Sequence, residues 1–116
     1  MMSKKQKLEI FTKTYDFILW MLNHTNKFPK SSRFSIAVRI ENRLLDFLEI
    51  IIEANQLSNK VDKLTQADRI LEFVRIFVRI SKDMKFMNLS SYEFASRSLN
   101  EIGRLLGGWL KQQKQL

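Results

Sequence analysis

A chain of 116 residues, 45% of them hydrophobic, suits one globular domain burying about two-thirds of its unfolded surface, and it is too apolar for a disordered one. Its formal charge is +8, from twenty Lys and Arg against twelve Asp and Glu, which suggests a polyanionic partner, nucleic acid or a membrane surface. The absence of cysteine excludes disulfides, thiolate zinc sites and thiol nucleophiles, and three glycines with one proline leave little material for turns, so few long elements are expected.

The first helix is expected over about residues 5–26. Leu8, Phe11, Tyr15, Ile18 and Leu22 read as its core stripe, while Ile10, Phe17, Trp20 and Met21 form a second apolar face. The uncharged run Phe17–Leu22 is too short for a signal core or a membrane span, so the protein is expected to be soluble and cytoplasmic, with no membrane partner. Pro29, in Lys27-Phe-Pro-Lys30, disfavours helix at Phe28 and ends the element.

The second helix is expected over about 32–55, capped by Ser31 or Ser32. Ala37, Ile40, Leu44, Phe47, Ile51 and Ala54 make one stripe; Phe34, Val38, Leu45, Leu48 and Ile52 make another beside it. Together they cover more than half the circumference, as on a helix central in its bundle or shared with another subunit.

The third helix is expected over about 58–85. Ile70, Phe73, Phe77, Ile80 and Met84 follow a three-four spacing with Leu71, Val74 and Val78 alongside. Val61 and Leu64 are out of phase with that set, and Thr65 with Asp68 offers a second start signal, so a bend is expected near Thr65.

The fourth helix is expected over about 90–111. Ser90 with Glu93 reads as a capping box and Leu89 with Phe94 as a hydrophobic staple. Ala95, Leu99, Ile102, Leu106 and Trp109 form its apolar stripe, and Arg97, Arg104 and Lys111 its basic back. Gly103 and Gly107 share a face, and each glycine costs about 1 kcal/mol relative to alanine in a helix. Close approach of another backbone is one reason to keep them; a helix end at Gly107-Gly108 is the other.

These elements define an all-α, antiparallel up-down four-helix bundle in one domain. Charge by segment is +4 (1–30), −1 (31–57), +3 (58–89) and +2 (90–116), so the second helix is the acidic one.

Catalytic readings find little support. His24, the sole histidine, lies near the end of the first helix and has no Glu three positions before it, as a di-iron bundle requires. Glu49 and Glu53 form an (i, i+4) pair on the polar arc of the second helix. The glycines of the last helix follow no strand and precede no Gly-Lys-Ser/Thr, so they are no phosphate loop. No catalytic residue, metal or cofactor is expected.

The basic positions are the functional candidates. Arg75, Arg79 and Lys82 stripe the third helix, and Arg97 and Arg104 the fourth. Arginine forks suit phosphate or carboxylate better than lysines do. No motif for base readout accompanies them, so nucleic-acid binding should be dominated by the backbone.

Several segments together carry a family resemblance: Tyr15-Asp-Phe, Lys27-Phe-Pro-Lys30, Arg39-Ile-Glu-Asn-Arg43, Ile52-Glu-Ala-Asn55, Arg75-x-x-x-Arg79 before Lys82-Asp-Met-Lys-Phe86, Tyr92-Glu-Phe-Ala-Ser-Arg97, and Glu101-Ile-Gly-Arg-Leu-Leu-Gly-Gly-Trp109. Over about residues 8–111 the chain resembles the accessory variability determinant of diversity-generating retroelements. That four-helix-bundle family is related to small proteins encoded in intervening sequences of 23S ribosomal RNA genes.

The resemblance implies a non-enzymatic protein that assembles as a ring-like homo-oligomer, a pentamer, with a strongly basic surface. It implies binding to the element's error-prone reverse transcriptase and to template RNA or other nucleic acid, in support of mutagenic retrohoming. Carried over by residue, Arg75 and Arg79 match the family's paired arginines and are the first candidates for these contacts. Arg39 and Arg43 come second, with Arg104 and Lys82 behind them. The alternatives are an intervening-sequence-type bundle without a reverse transcriptase partner, and a structural oligomer whose charge only confers solubility.

Overall fold

The computed structural model describes residues 3–116, which form four long helices packed around one continuous core. Helix α1, Lys4–Thr25, opens with a capping box: the Gln6 amide donates to the Ser3 hydroxyl at 3.1 Å, and the Ser3 amide donates to Gln6 Oε1 at 2.8 Å. After α1 the chain turns a corner in which Phe28 is buried against Phe86, ring centroids 5.5 Å apart.

A short 3₁₀ turn, Lys30–Ser32, and a π-helical turn, Arg33–Ala37, lead into α2, Val38–Gln56. The expected serine cap of this helix is not made. Ser32 is buried and donates its hydroxyl to the Pro29 carbonyl at 2.8 Å, so it fastens the corner instead.

Helix α3, Val61–Asp83, runs without interruption through Thr65. The Thr65 hydroxyl donates to the Val61 carbonyl at 2.8 Å, a bond made inside a helix already under way, and the start signal at this residue is not used. At the other end Lys85 takes φ 65°, and the amides of Phe86 and Lys85 donate to the carbonyls of Ser81 and Lys82 at 2.8 and 2.9 Å. This is a Schellman motif with a lysine at the left-handed position.

Helix α4, Leu89–Lys114, is capped ahead of the expected box. Asn88 is extended and its Oδ1 accepts from the Ser91 amide at 2.7 Å, which places Ser90 inside the first turn. Leu89 is exposed, so no staple forms. The helix passes through Gly107 and Gly108, both exposed, and a Cβ on either would meet nothing within 4 Å.

The buried seams follow alternating three-four spacing. On α2 the seam continues from Ala37 through Ile40, Leu44, Phe47 and Ile51 to Ala54; on α4 it is Ala95, Leu99, Ile102, Leu106 and Trp109. Both match the sequence pattern. On α1 and α3 the apolar face expected to be core is largely the outer one. The α1 core is Ile10, Thr14, Phe17, Ile18, Met21 and Thr25, whereas Leu8, Phe11 and Tyr15 are exposed. The α3 core is Leu64, Ala67, Ile70, Leu71, Val74, Val78 and Ser81, whereas Phe73, Ile80 and Met84 are exposed. Burial of each large side chain in these seams contributes about 1.5–3 kcal/mol.

Polar links tie the helices in pairs. The Thr25 hydroxyl donates to Glu41 at 2.6 Å, joining the end of α1 to the start of α2. Lys63 meets Glu53 at 3.0 Å between α3 and α2, and Lys13 meets Glu101 at 2.7 Å between α1 and α4. Outside the core, Leu8, Tyr15 and Leu19 on α1 and Leu45 and Ile52 on α2 leave an uncovered apolar face. Among the described residues no helix is long and apolar enough to cross a membrane.

Candidate nucleic-acid and partner-binding surface

The bundle sorts the predicted arginines by how far each is committed to the fold. Arg75 is the most committed. Its side chain, 34% exposed, reaches from α3 across α4: Nη1 donates to Glu72 Oε1 at 2.6 Å and Nη2 donates to the Leu99 carbonyl at 3.2 Å. Its Nε is buried without a partner. The guanidinium occupies the space over Gly103, where a Cβ would collide with it. The small residue therefore admits a side chain, not the backbone expected from the sequence.

Arg75, Arg97 and Arg104 line one shallow groove of about 890 Å³ with Phe94, Ser98, Asn100 and Gly103. Helical geometry makes this possible: Arg97 and Arg104 are seven residues apart, two turns and about 10 Å along α4 on nearly the same bearing. Among the described residues neither makes an ion pair. Glu101 also lines the groove, but it is engaged by Lys13, whose ammonium is held above its ordinary pKa first by that hydrogen bond.

The remaining candidates lie outside this groove. Arg79 is exposed on α3, with no ion pair among the described residues. Lys82 meets Asp83 at 3.3 Å and lies over the Tyr92 ring at 4.8 Å. Arg39 is exposed on α2, and Arg43 places its guanidinium 5.1 Å from the Phe73 ring centre, toward α3. The six predicted residues thus fall on several faces, and of them Arg75 and Arg104 line this groove.

An aromatic neighbour of the groove has no counterpart among the sequence-based candidates. Phe94 packs on Trp20 at 4.7 Å, and Trp20 stacks on His24 at 3.8 Å and on Phe17 at 5.8 Å. His24 Nδ1 lies 2.9 Å from the Trp20 carbonyl, which can only accept, so Nδ1 carries a proton in this arrangement. The register from Phe94 to Arg97 is the signal that could have found it, since three residues on a helix are neighbours. Among the described residues no three His, Asp or Glu side chains converge as a metal-ligand set.

Fold and surface together define a small all-helical four-helix bundle with arginines on three of its helices and a basic groove between α3 and α4. Over residues 6–113 the sequence matches the bAvd-like family, that is, bacterial accessory variability determinant-like, and the chain belongs to that family. A crystal structure of a protein of unknown function from the S23 ribosomal protein family of Bacteroides thetaiotaomicron has the same fold. It superposes with a TM-score of 0.83 over 91% of this chain and 98% of that one, at 17% sequence identity. No curated protein matches the chain.

Proposed function

We propose that this protein is a non-enzymatic accessory subunit of a diversity-generating retroelement, acting in the cytoplasm by holding the error-prone reverse transcriptase and its template RNA together. Membership of the bAvd-like family over residues 6–113 is the observation that carries this reading. The surplus of eight positive charges supports a nucleic-acid partner. As a scaffold, the protein acts by raising the effective concentration of polymerase and template near each other.

The bundle is antiparallel and up-down in this reading, as supported by end-to-start links such as Thr25 with Glu41 and Glu53 with Lys63. It assembles as a ring of identical copies, a pentamer by family resemblance. The uncovered apolar face of Leu8, Tyr15, Leu45 and Ile52 supports self-association, since monomers rarely leave such a face open.

The test is gentle purification of the tagged protein from its native cell, with mass spectrometry and RNA sequencing of what accompanies it. A reverse transcriptase with one short repeat-containing RNA is the expected result. Arg79→Glu, at an exposed position, should remove the polymerase while leaving helicity unchanged; Arg75 is the poorer probe because reversing it also disturbs the packing of α3 on α4. Recovery of ribosomal material alone would instead favour an intervening-sequence-type protein without a polymerase partner. The likeness in fold to the S23 ribosomal protein family supports that second reading.

A further inference from the structure

We propose that the groove running from Phe94 to Arg104 binds single-stranded nucleic acid, with backbone phosphates on Arg97 and Arg104 and one base stacked on Phe94. This rests on the nucleic-acid reading above and gives it a site and a strand preference. The electrostatics favour a polyanion. Arg97 and Arg104 face the groove with no carboxylate partner among the described residues, while two of the acids beside it are occupied: Glu101 by Lys13 and Glu72 by Arg75. Glu93, one turn before Arg97, makes no ion pair among the described residues. Arg75 is held in place by Glu72 and the Leu99 carbonyl, so it fixes the floor of the groove over Gly103, its charge balanced by Glu72. Ser98 and Asn100 add neutral donors between the two outer arginines.

Phe94 decides the strand state. It is 41% exposed and lines the groove, and Trp20, itself stacked on His24, packs against the ring from the α1 side and limits its movement. Aromatic platforms beside arginines are how single strands are held without sequence preference. A duplex keeps its bases stacked inside and cannot offer one to this ring without flipping it out. An acidic peptide would satisfy the arginines and leave the ring unused.

The test is fluorescence anisotropy on the full chain with a labelled twelve-nucleotide oligo(A) RNA, a twelve-base-pair RNA duplex and polyglutamate, each across a salt series. The single strand should bind at least tenfold more tightly than the duplex or polyglutamate and should quench Trp20. Arg97→Gln/Arg104→Gln should lower the slope of log affinity against log salt by about 1.4, or roughly 0.7 for each phosphate that is no longer neutralised. The control Lys60→Gln/Lys114→Gln removes the same net charge elsewhere and should leave that slope nearly unchanged. Phe94→Leu keeps an apolar side chain against Trp20 and should weaken RNA binding about 5- to 150-fold at unchanged slope, the range for one stacked base.

If wild type binds RNA and both groove variants bind it equally well, the groove assignment is overturned while the nucleic-acid reading stands. Duplex binding as tight as single-strand binding, with Phe94→Leu unchanged, overturns the strand preference. Preference for polyglutamate assigns the groove to an acidic protein segment instead. No binding of RNA by the wild type overturns the site and the RNA part of the function together.

Discussion

Gly103→Ala tests the packing of α3 on α4 from both sides. The new methyl would lie where the Arg75 guanidinium now lies, and it would meet Leu71 Cδ2 at 3.5 Å, an ordinary van der Waals distance. Alanine is better than glycine inside a helix by about 1 kcal/mol. The displaced guanidinium loses its bond to the Leu99 carbonyl. A hydrogen bond from a charged group contributes about 1.5–3 kcal/mol, and partial exposure of Arg75 puts this one at or below the lower end. Gly103→Ala alone should therefore change stability by between about zero and 0.5 kcal/mol, in the destabilising direction. In an Arg75→Ala background the same substitution meets no guanidinium and should stabilise by about 1 kcal/mol. Urea titrations of the four proteins measure the coupling, expected at about 1–1.5 kcal/mol. Additivity within about 0.5 kcal/mol would refute the reasoning, because it would mean that the guanidinium does not occupy the space over Gly103.

Lys85→Gly should stabilise by about 1 kcal/mol, roughly 4 °C in melting temperature, because a side chain at φ 65° is strained and glycine is not. Thr14→Val should also stabilise by about 1 kcal/mol in a urea titration: Thr14 is 1% exposed and its hydroxyl has no partner, so an equally shaped apolar residue loses nothing. Destabilisation by more than about 0.5 kcal/mol there would show that the hydroxyl is bonded. Leu45→Glu, on the uncovered face of α1 and α2, should reduce the mass measured by light scattering to that of the monomer while circular dichroism stays unchanged.

Apolar periodicity is legible in this sequence; which apolar face is covered is less so. The seams of α2 and α4 can be read because their inward positions are all apolar, from Ile40 to Ala54 and from Ala95 to Trp109. On α1 and α3 small polar residues stand in the core, so the outer stripe looks the more regular. Thr25 is accommodated inside by its bond to Glu41, and Ser81 by donating to the Phe77 carbonyl at 2.8 Å. The bond of Thr25 depends on a neighbour in another helix that helical spacing does not reveal. The same limit applies to the site. Arg97 and Arg104 can be placed together from their heptad spacing, whereas the reach of Arg75 over Gly103 depends on how closely α3 and α4 approach. The π-helical turn before α2 likewise has no signature, and it accompanies Phe34 at 88% exposure, on the stripe expected beside the α2 core.

The seam between α1 and α4, where Lys13 meets Glu101 and Trp20 meets Phe94, joins the two ends of the chain. The other helix–helix interfaces join consecutive helices through short connections, and such local pairings form early in folding because little loop entropy is lost. Closure of α4 onto α1 is therefore expected to be the late event. Interactions made after the transition state slow unfolding and barely change folding. Trp20→Leu should accordingly steepen loss of the native state in stopped-flow unfolding and leave the refolding rate nearly unaltered. The aromatic stack would then act as the latch that sets how long the folded bundle lasts.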